Sequence, residues 1–287
     1  MVSTASASNI APVMVIPNIA NENRSDTSTQ VINTSCHWQD RFLTQLAKNT
    51  KQKALLSFNP EETKGRQLSF AAKHSTENTP ATKSSPRWME ITGKLSDQEK
   101  SIGEFNFFRE TYSGSLQDCN TLNDFADDLA DDLAEWLKEP VAGVKVGAVI
   151  PTLKADTIEP DVEQSCPLTR KFSETLADES DRTIYRVSGD VKAAQGKKLQ
   201  LQIVSTHLRG GGAYTGSKWI KVVGSLVENN NEIGNFIVLR HSFRGWTSCS
   251  MVDRLSEEIS KDILEWMKSP MMNAKLGDAD ATTTAEP

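Results

Sequence analysis

The residues best suited to chemistry fall into four sets. Asp127-Asp128-Leu129-Ala130-Asp131-Asp132 places carboxylates one helical turn apart, a spacing at which a pair can share a divalent ion. Gly211-x4-Gly216-Ser217-Lys218 approaches the glycine-rich loop that cradles phosphate. Arg209, Gly210, Gly211, Gly212, Tyr214, Arg240, His241, Arg244 and Trp246 gather cations, aromatic rings and pliable backbone, the composition of a surface that binds a peptide, a glycan or a nucleic acid, and equally of scattered sheet surface. Cys36, Cys119, Cys166 and Cys249 supply thiols, and His37 stands beside the first.

Spacing narrows these choices. Leu122, Phe125, Leu129, Leu133 and Trp136 recur three or four residues apart, so the acidic run belongs to an amphipathic helix and its carboxylates are expected on the solvent side, not around a metal. A phosphate loop needs Lys followed by Ser or Thr and must open a helix, whereas Lys218 opens a strand-like segment. The stretch reads as a flexible or bulged loop between two sheet strands, with contact to a partner as its functional alternative. The cysteines lack a Cys-x-x-Cys pair, and Cys36-His37 has no second close ligand pair, which disfavours thiol-redox and zinc chemistry. No Gly-x-Ser-x-Gly elbow, His-Glu-x-x-His motif or dinucleotide fingerprint is present, so no catalytic residue, metal or cofactor is assigned.

The elements that must position these residues come in duplicate. Trp219-Ile220-Lys221-Val222-Val223-Gly224-Ser225-Leu226 answers Trp88-Met89-Glu90-Ile91-Thr92-Gly93-Lys94-Leu95, and Ile233-Gly234-Asn235-Phe236 answers Ile102-Gly103-Glu104-Phe105. Arg240 answers Arg109, and Glu265-Trp266-Met267-Lys268-Ser269-Pro270 answers Glu135-Trp136-Leu137-Lys138-Glu139-Pro140. Such a long period implies two domains in tandem, not a solenoid. The expected division is a disordered tail over 1–12, a first copy over 13–140, a second over 144–270 and a disordered tail over 271–287. Each copy reads as strand, helix, four mostly antiparallel strands and a final amphipathic helix. The fold class is therefore α+β, with two helices on one face of a sheet. In the second copy the strands are expected at Tyr185–Val191, Lys198–Thr206, Lys218–Val227 and Gly234–Phe243, and the final helix buries Val252, Leu255, Ile259, Ile263 and Trp266. Thr34 or Ser35 is the expected cap of the first copy's first helix.

Cys36 and Cys166 fall at the start of the first helix of each copy, Cys119 and Cys249 just before the second. One bridge per copy would pin the two helix starts together and indicates an oxidising compartment; four buried thiols in the cytoplasm is the alternative. The 287 residues carry 32 basic and 38 acidic side chains, a net charge of −6 that disfavours non-specific attraction to nucleic acid or anionic membrane. No run approaches the roughly 20 apolar residues of a bilayer span, and no signal peptide is evident at the start.

An opening strand ending in Ile16-Pro17 or Ile150-Pro151, then a helix, strands, a glycine-punctuated hairpin and a helix ending in Trp-hydrophobic-Lys resembles a small α+β domain of bacterial envelope proteins. That domain occurs in the TolB N-terminal region and in the curli-secretion channel subunit. The chain is also similar to uncharacterised envelope lipoproteins in which a glycine-rich stretch precedes the long hairpin, here Gly210-Gly211-Gly212-Ala213. The resemblance implies a periplasmic or secreted, non-enzymatic assembly or adaptor module with protein partners of the envelope and a capacity for self-association. Two rivals stand beside it. One is an enzyme with a site between the domains using His207, His241 and Asp190; the other is a cytoplasmic regulatory module that binds nucleic acid through the second copy's cations.

Overall fold

The computed structural model describes residues 13–17, 36–51, 54–56, 66–75, 86–97, 100–112, 119–210, 216–243 and 247–279. They form a mixed α+β fold with two sheets, and the chain divides into two compact units, Met1–Ala142 and Gly143–Pro287. The expected caps Thr34 and Ser35 lie outside the described residues, as do 1–12 and 280–287.

In the first unit β1 (Val13–Pro17), α1 (Trp38–Asn49) and β2 (Ala54–Leu56) precede β3 (Arg66–His74), β4 (Arg87–Asp97), β5 (Lys100–Thr111) and α2 (Cys119–Trp136). The strand order is β2-β1-β3-β4-β5. Strand β1 runs parallel to both neighbours, and only β3, β4 and β5 alternate in direction. The expectation of four mostly antiparallel strands after the helix therefore needs correction at β2. A strand that returns through a crossover helix points the same way as the one before it, and tight hairpins alone reverse the chain. Phe42 and Leu46 of α1 and Leu122, Phe125, Leu129, Leu133 and Trp136 of α2 are buried with Leu68, Phe70, Ile91, Leu95 and Phe105 of the sheet. Burying each such side chain contributes about 1.5–3 kcal/mol, so the stripe legible in the sequence is the face that holds α2 down.

The acids on the other side of α2 are not simply solvated. Arg41 of α1 donates to Asp127 from both ends of its guanidinium, at 2.8 and 2.5 Å, and Arg109 of β5 donates to Asp132. The pair with Arg41 holds the Asp127 carboxyl below the usual range. These carboxylates tie α2 to its two neighbours. Among the described residues no group of three or more His, Cys, Asp or Glu side chains is arranged to hold a metal ion.

The second unit follows the same plan with additions. Strand β6 (Val144–Gly147) leads through α3 (Pro160–Ser165) and α4 (Leu168–Glu179) to β7 (Ile184–Val187). A 3₁₀ turn at Val191–Ala193, then β8 (Lys198–His207), β9 (Lys218–Glu228), β10 (Asn231–Ser242), α5 (Ser248–Lys268) and β11 (Ala274–Gly277) complete it. Strand order is β11-β10-β9-β8-β6-β7, and β7 again parallels the opening strand. The expected strand Tyr185–Val191 stops at Val187 because Asp190 caps the 3₁₀ turn by accepting the Lys192 backbone N–H at 2.9 Å. Helix α3 was not expected; it begins with Pro160, which fits a first helical position where no N–H partner is needed.

Strand β11 lies in the stretch read as a disordered tail. It pairs in parallel with β10, from Phe236↔Ala274 to Leu239↔Gly277. Ala274 joins the core and Leu276 packs against it, so the short segment gains apolar burial. Gly277 adopts φ +63°, and a Cβ there would stand 2.6 Å from the Leu239 carbonyl oxygen, so glycine is required. Ala274-Lys275-Leu276-Gly277 shares the apolar-Lys-apolar-Gly pattern of Val144-Lys145-Val146-Gly147, the strand that opens the second unit.

Both expected cysteine pairs are disulfides. Cys36–Cys119 joins the start of α1 to the first residue of α2, and Cys166–Cys249 joins the α3–α4 junction to the first turn of α5, with Cα separations of 5.1 and 5.2 Å. Packing details recur as well. Trp136 Nε1 donates to the Val141 carbonyl at 3.1 Å and Trp266 Nε1 to the Met271 carbonyl at 3.3 Å. Gly103 and Gly234 lie under those rings, where a Cβ would approach the indole to 2.9 and 2.8 Å.

Candidate functional site

Antiparallel pairing fixes what stands together at one end of the second sheet. His207 of β8 aligns with Trp219 of β9, and Trp219 aligns with His241 of β10. Arg209 follows two residues beyond His207, and Phe243 two beyond His241, so the same sheet end carries both. Phe243 is 67% exposed, the most exposed large apolar side chain among the described residues. Gly210 adopts φ +81°, a turn conformation natural to glycine. Gly211, Gly212, Tyr214, Arg244 and Trp246 lie outside the described residues.

Of the arginines expected as a cationic patch, Arg209 and Arg240 each hold an acid of their own. Arg209 reaches Asp161 on α3 from Nε and NH2, at 3.2 and 3.0 Å. Arg240 grips Asp262 on α5 and lies 3.6 Å from Asp278. His241 donates its backbone N–H to Asp278 at 2.9 Å, with its Nδ1 3.4 Å from the same carboxylate oxygen. The charges of Arg209 and Arg240 are thus balanced locally, although the Arg209 side chain stays 69% exposed.

Glu159, just ahead of α3, anchors the end of β8. Its carboxylate accepts the backbone N–H of Leu208 at 3.0 Å and of Arg209 at 3.4 Å, and the Thr206 hydroxyl at 3.3 Å. Burial resists ionisation of Glu159, but these donors outweigh it and hold the carboxyl below its ordinary range. His207 Nδ1 is 4.0 Å from this carboxylate, and its Nε2 is 3.4 Å from Nζ of the fully buried Lys218. The imidazole is hydrogen-bonded and half exposed, and its centroid is 6.5 Å from that of the Trp219 ring.

The proposed enzymatic trio is divided. Asp190 is engaged at the 3₁₀ turn, and His207 and His241 stand on strands two apart, a spacing of roughly 10 Å that excludes direct proton exchange between them. The arrangement offers donors, a tilted imidazole–indole pair and an exposed phenyl group, the means of binding.

A second feature was missed in the sequence. Away from the helices, β8 to β11 form a groove of about 520 Å³ whose lining includes Lys192, Gln200, Gln202, Ser225, Asn273 and Lys275. Its signal was the polar half of an alternation: Gln200 and Gln202 lie between buried Leu199, Leu201 and Ile203, and Val223 and Ser225 between buried Val222 and Leu226.

No protein-family model and no curated protein sequence matches the chain. Solved structures with a likeness include a PelC dodecamer from Paraburkholderia phytofirmans, at 14% identity over 45% of this chain and 89% of that one, with a TM-score of 0.31. Another is a minor lipoprotein from Acinetobacter baumannii, at 13% identity over 44% of this chain and 91% of that one, with a TM-score of 0.24. The likeness is weak, covers less than half of this chain and is not specific to a TolB-type domain.

Proposed function

We propose that this chain is a tandem duplication of one α+β domain and acts as a non-enzymatic binding or assembly module of a bacterial envelope, periplasmic or secreted. Its partner is a protein, held at the end of the second sheet by Phe243 and Arg209. The observation that carries the reading is Phe243: an aromatic side chain left 67% exposed at a strand end, with an exposed arginine at the same end of the sheet, has the composition of an interface anchor. The disulfides support the compartment, because such bonds persist where the surroundings are oxidising. Among the described residues no helix is long and apolar enough to cross a membrane.

The test has two parts. Intact mass of the protein from its native host, alkylated with and without reduction, should show no free thiol before reduction; four free thiols would remove the envelope assignment. Crosslinking in envelope extract should then give a defined adduct with the natural chain that Phe243→Asp abolishes at unchanged thermal stability. An adduct that persists unchanged in Phe243→Asp would remove this surface from the proposal.

A further inference from the structure

We infer that the groove on the second unit's sheet is a binding site for an acidic polysaccharide, a chain of sugars bearing carboxylates. Three observations lead there. First, the lining carries Lys192 and Lys275 and no acidic residue, in a protein whose net charge is −6. Local positive charge in a cleft of a negative molecule selects an anion. Second, the side chains of Gln200, Gln202 and Ser225 line the groove yet make no hydrogen bond among the described residues. Amides and hydroxyls both donate and accept, which matches sugar hydroxyls that do the same. Val223 and Ile237, the latter 41% exposed, add apolar surface for the C–H face of a sugar ring.

Third, the fold does not require this set. The first unit builds the equivalent three-stranded meander with Ser69 and Ala71 where Gln200 and Gln202 stand, and with the cross-strand pair Lys94–Glu104 where Ser225–Asn235 stand. The amide row is therefore a property of the second unit alone. An acidic peptide would also suit the groove's charge, but β9 and β10, which form the middle of its floor, pair with neighbours on both sides, so a ligand lying across them meets no strand edge. Peptides that bind sheets draw their affinity from such an edge; a ligand here is read by side chains. The site is distinct from the sheet end around Phe243, which lies roughly 20 Å further along β10.

The experiment is calorimetric titration of the full chain with polygalacturonate, dextran and poly-glutamate. Polygalacturonate should bind, more weakly as salt rises, and dextran should not. Lys192→Ala with Lys275→Ala should weaken binding about tenfold or more, as loss of charged hydrogen bonds does. Gln200→Ala with Gln202→Ala should weaken it while leaving the salt dependence unchanged, and Phe243→Asp should leave it intact. Equal titration by dextran, equal or tighter binding of poly-glutamate, or no binding of polygalacturonate would each overturn the assignment. So would full affinity in the glutamine variant at unchanged melting temperature.

Discussion

Arg240 holds Asp262 by two parallel contacts, Nε to Oδ2 at 2.7 Å and NH2 to Oδ1 at 2.6 Å, and so joins strand β10 to helix α5. Arg109 and Asp132 make the counterpart link from β5 to α2 in the first unit. An arginine that the sequence offers to a partner is here committed to its own fold, and its substitution should register as lost stability. Arg240→Ala leaves Asp262 and Asp278 without their cation and should cost about 1.5–3 kcal/mol in chemical denaturation. An unchanged denaturation midpoint would mean that the contact contributes nothing to folding.

Reduction should separate the contributions of the bridges. Each closes a long loop between two helix starts, and Cys166→Ser with Cys249→Ser should destabilise the second unit by roughly 2–5 kcal/mol. Differential scanning calorimetry would show one transition moving down while the first unit's stays in place. A melting profile that ignores reductant would contradict a structural role for both bridges.

His74 predicts a pH dependence for the first unit. Burial lowers its pKa, opposed by the hydrogen bond from Nδ1 to the Ser75 carbonyl at 3.0 Å. The unfolded chain therefore binds this proton more readily than the folded one. Stability should be complete above the ordinary histidine pKa of about 6.5 and fall as pH drops through and below it. His74→Gln should flatten that slope between about pH 7 and 5. A slope identical in the natural protein and the variant would assign it to other groups.

Glu159 offers a test that distinguishes charge from hydrogen bonding. Glu159→Ala leaves the Leu208 N–H without its acceptor and should destabilise the second unit by about 1–3 kcal/mol. Glu159→Gln keeps one acceptor oxygen and should recover part of that loss. Equal loss in both variants would show that the negative charge, and not the acceptor, is what matters.

Much of this architecture was legible because periodicity reports burial. The α2 stripe from Leu122 to Trp136 and the paired tryptophans and glycines name the packed face directly, and the cysteine spacing gave two bridges that the structure contains. Direction was less legible. Whether β2 and β7 run with or against the opening strand depends on the crossover helix, which leaves no mark on strand composition. Arg41 and Asp127 lie far apart in the sequence, so their pairing was hidden and the acids looked solvated. Strand β11 is too short to show alternation, and the sheet groove draws on four strands whose polar residues look individually like ordinary surface.

One short sequence pattern meets two fates in this molecule. As Val144–Gly147 it enters the sheet interior with a strand on either side; as Ala274–Gly277 it stays at the margin, held by Asn235, whose side chain accepts the Asn273 N–H, and by Asp278, which bonds the backbone of His241. The margin of the second sheet is closed with a strand of the same pattern as an opening one, and the local surroundings decide whether that pattern begins a domain or seals one.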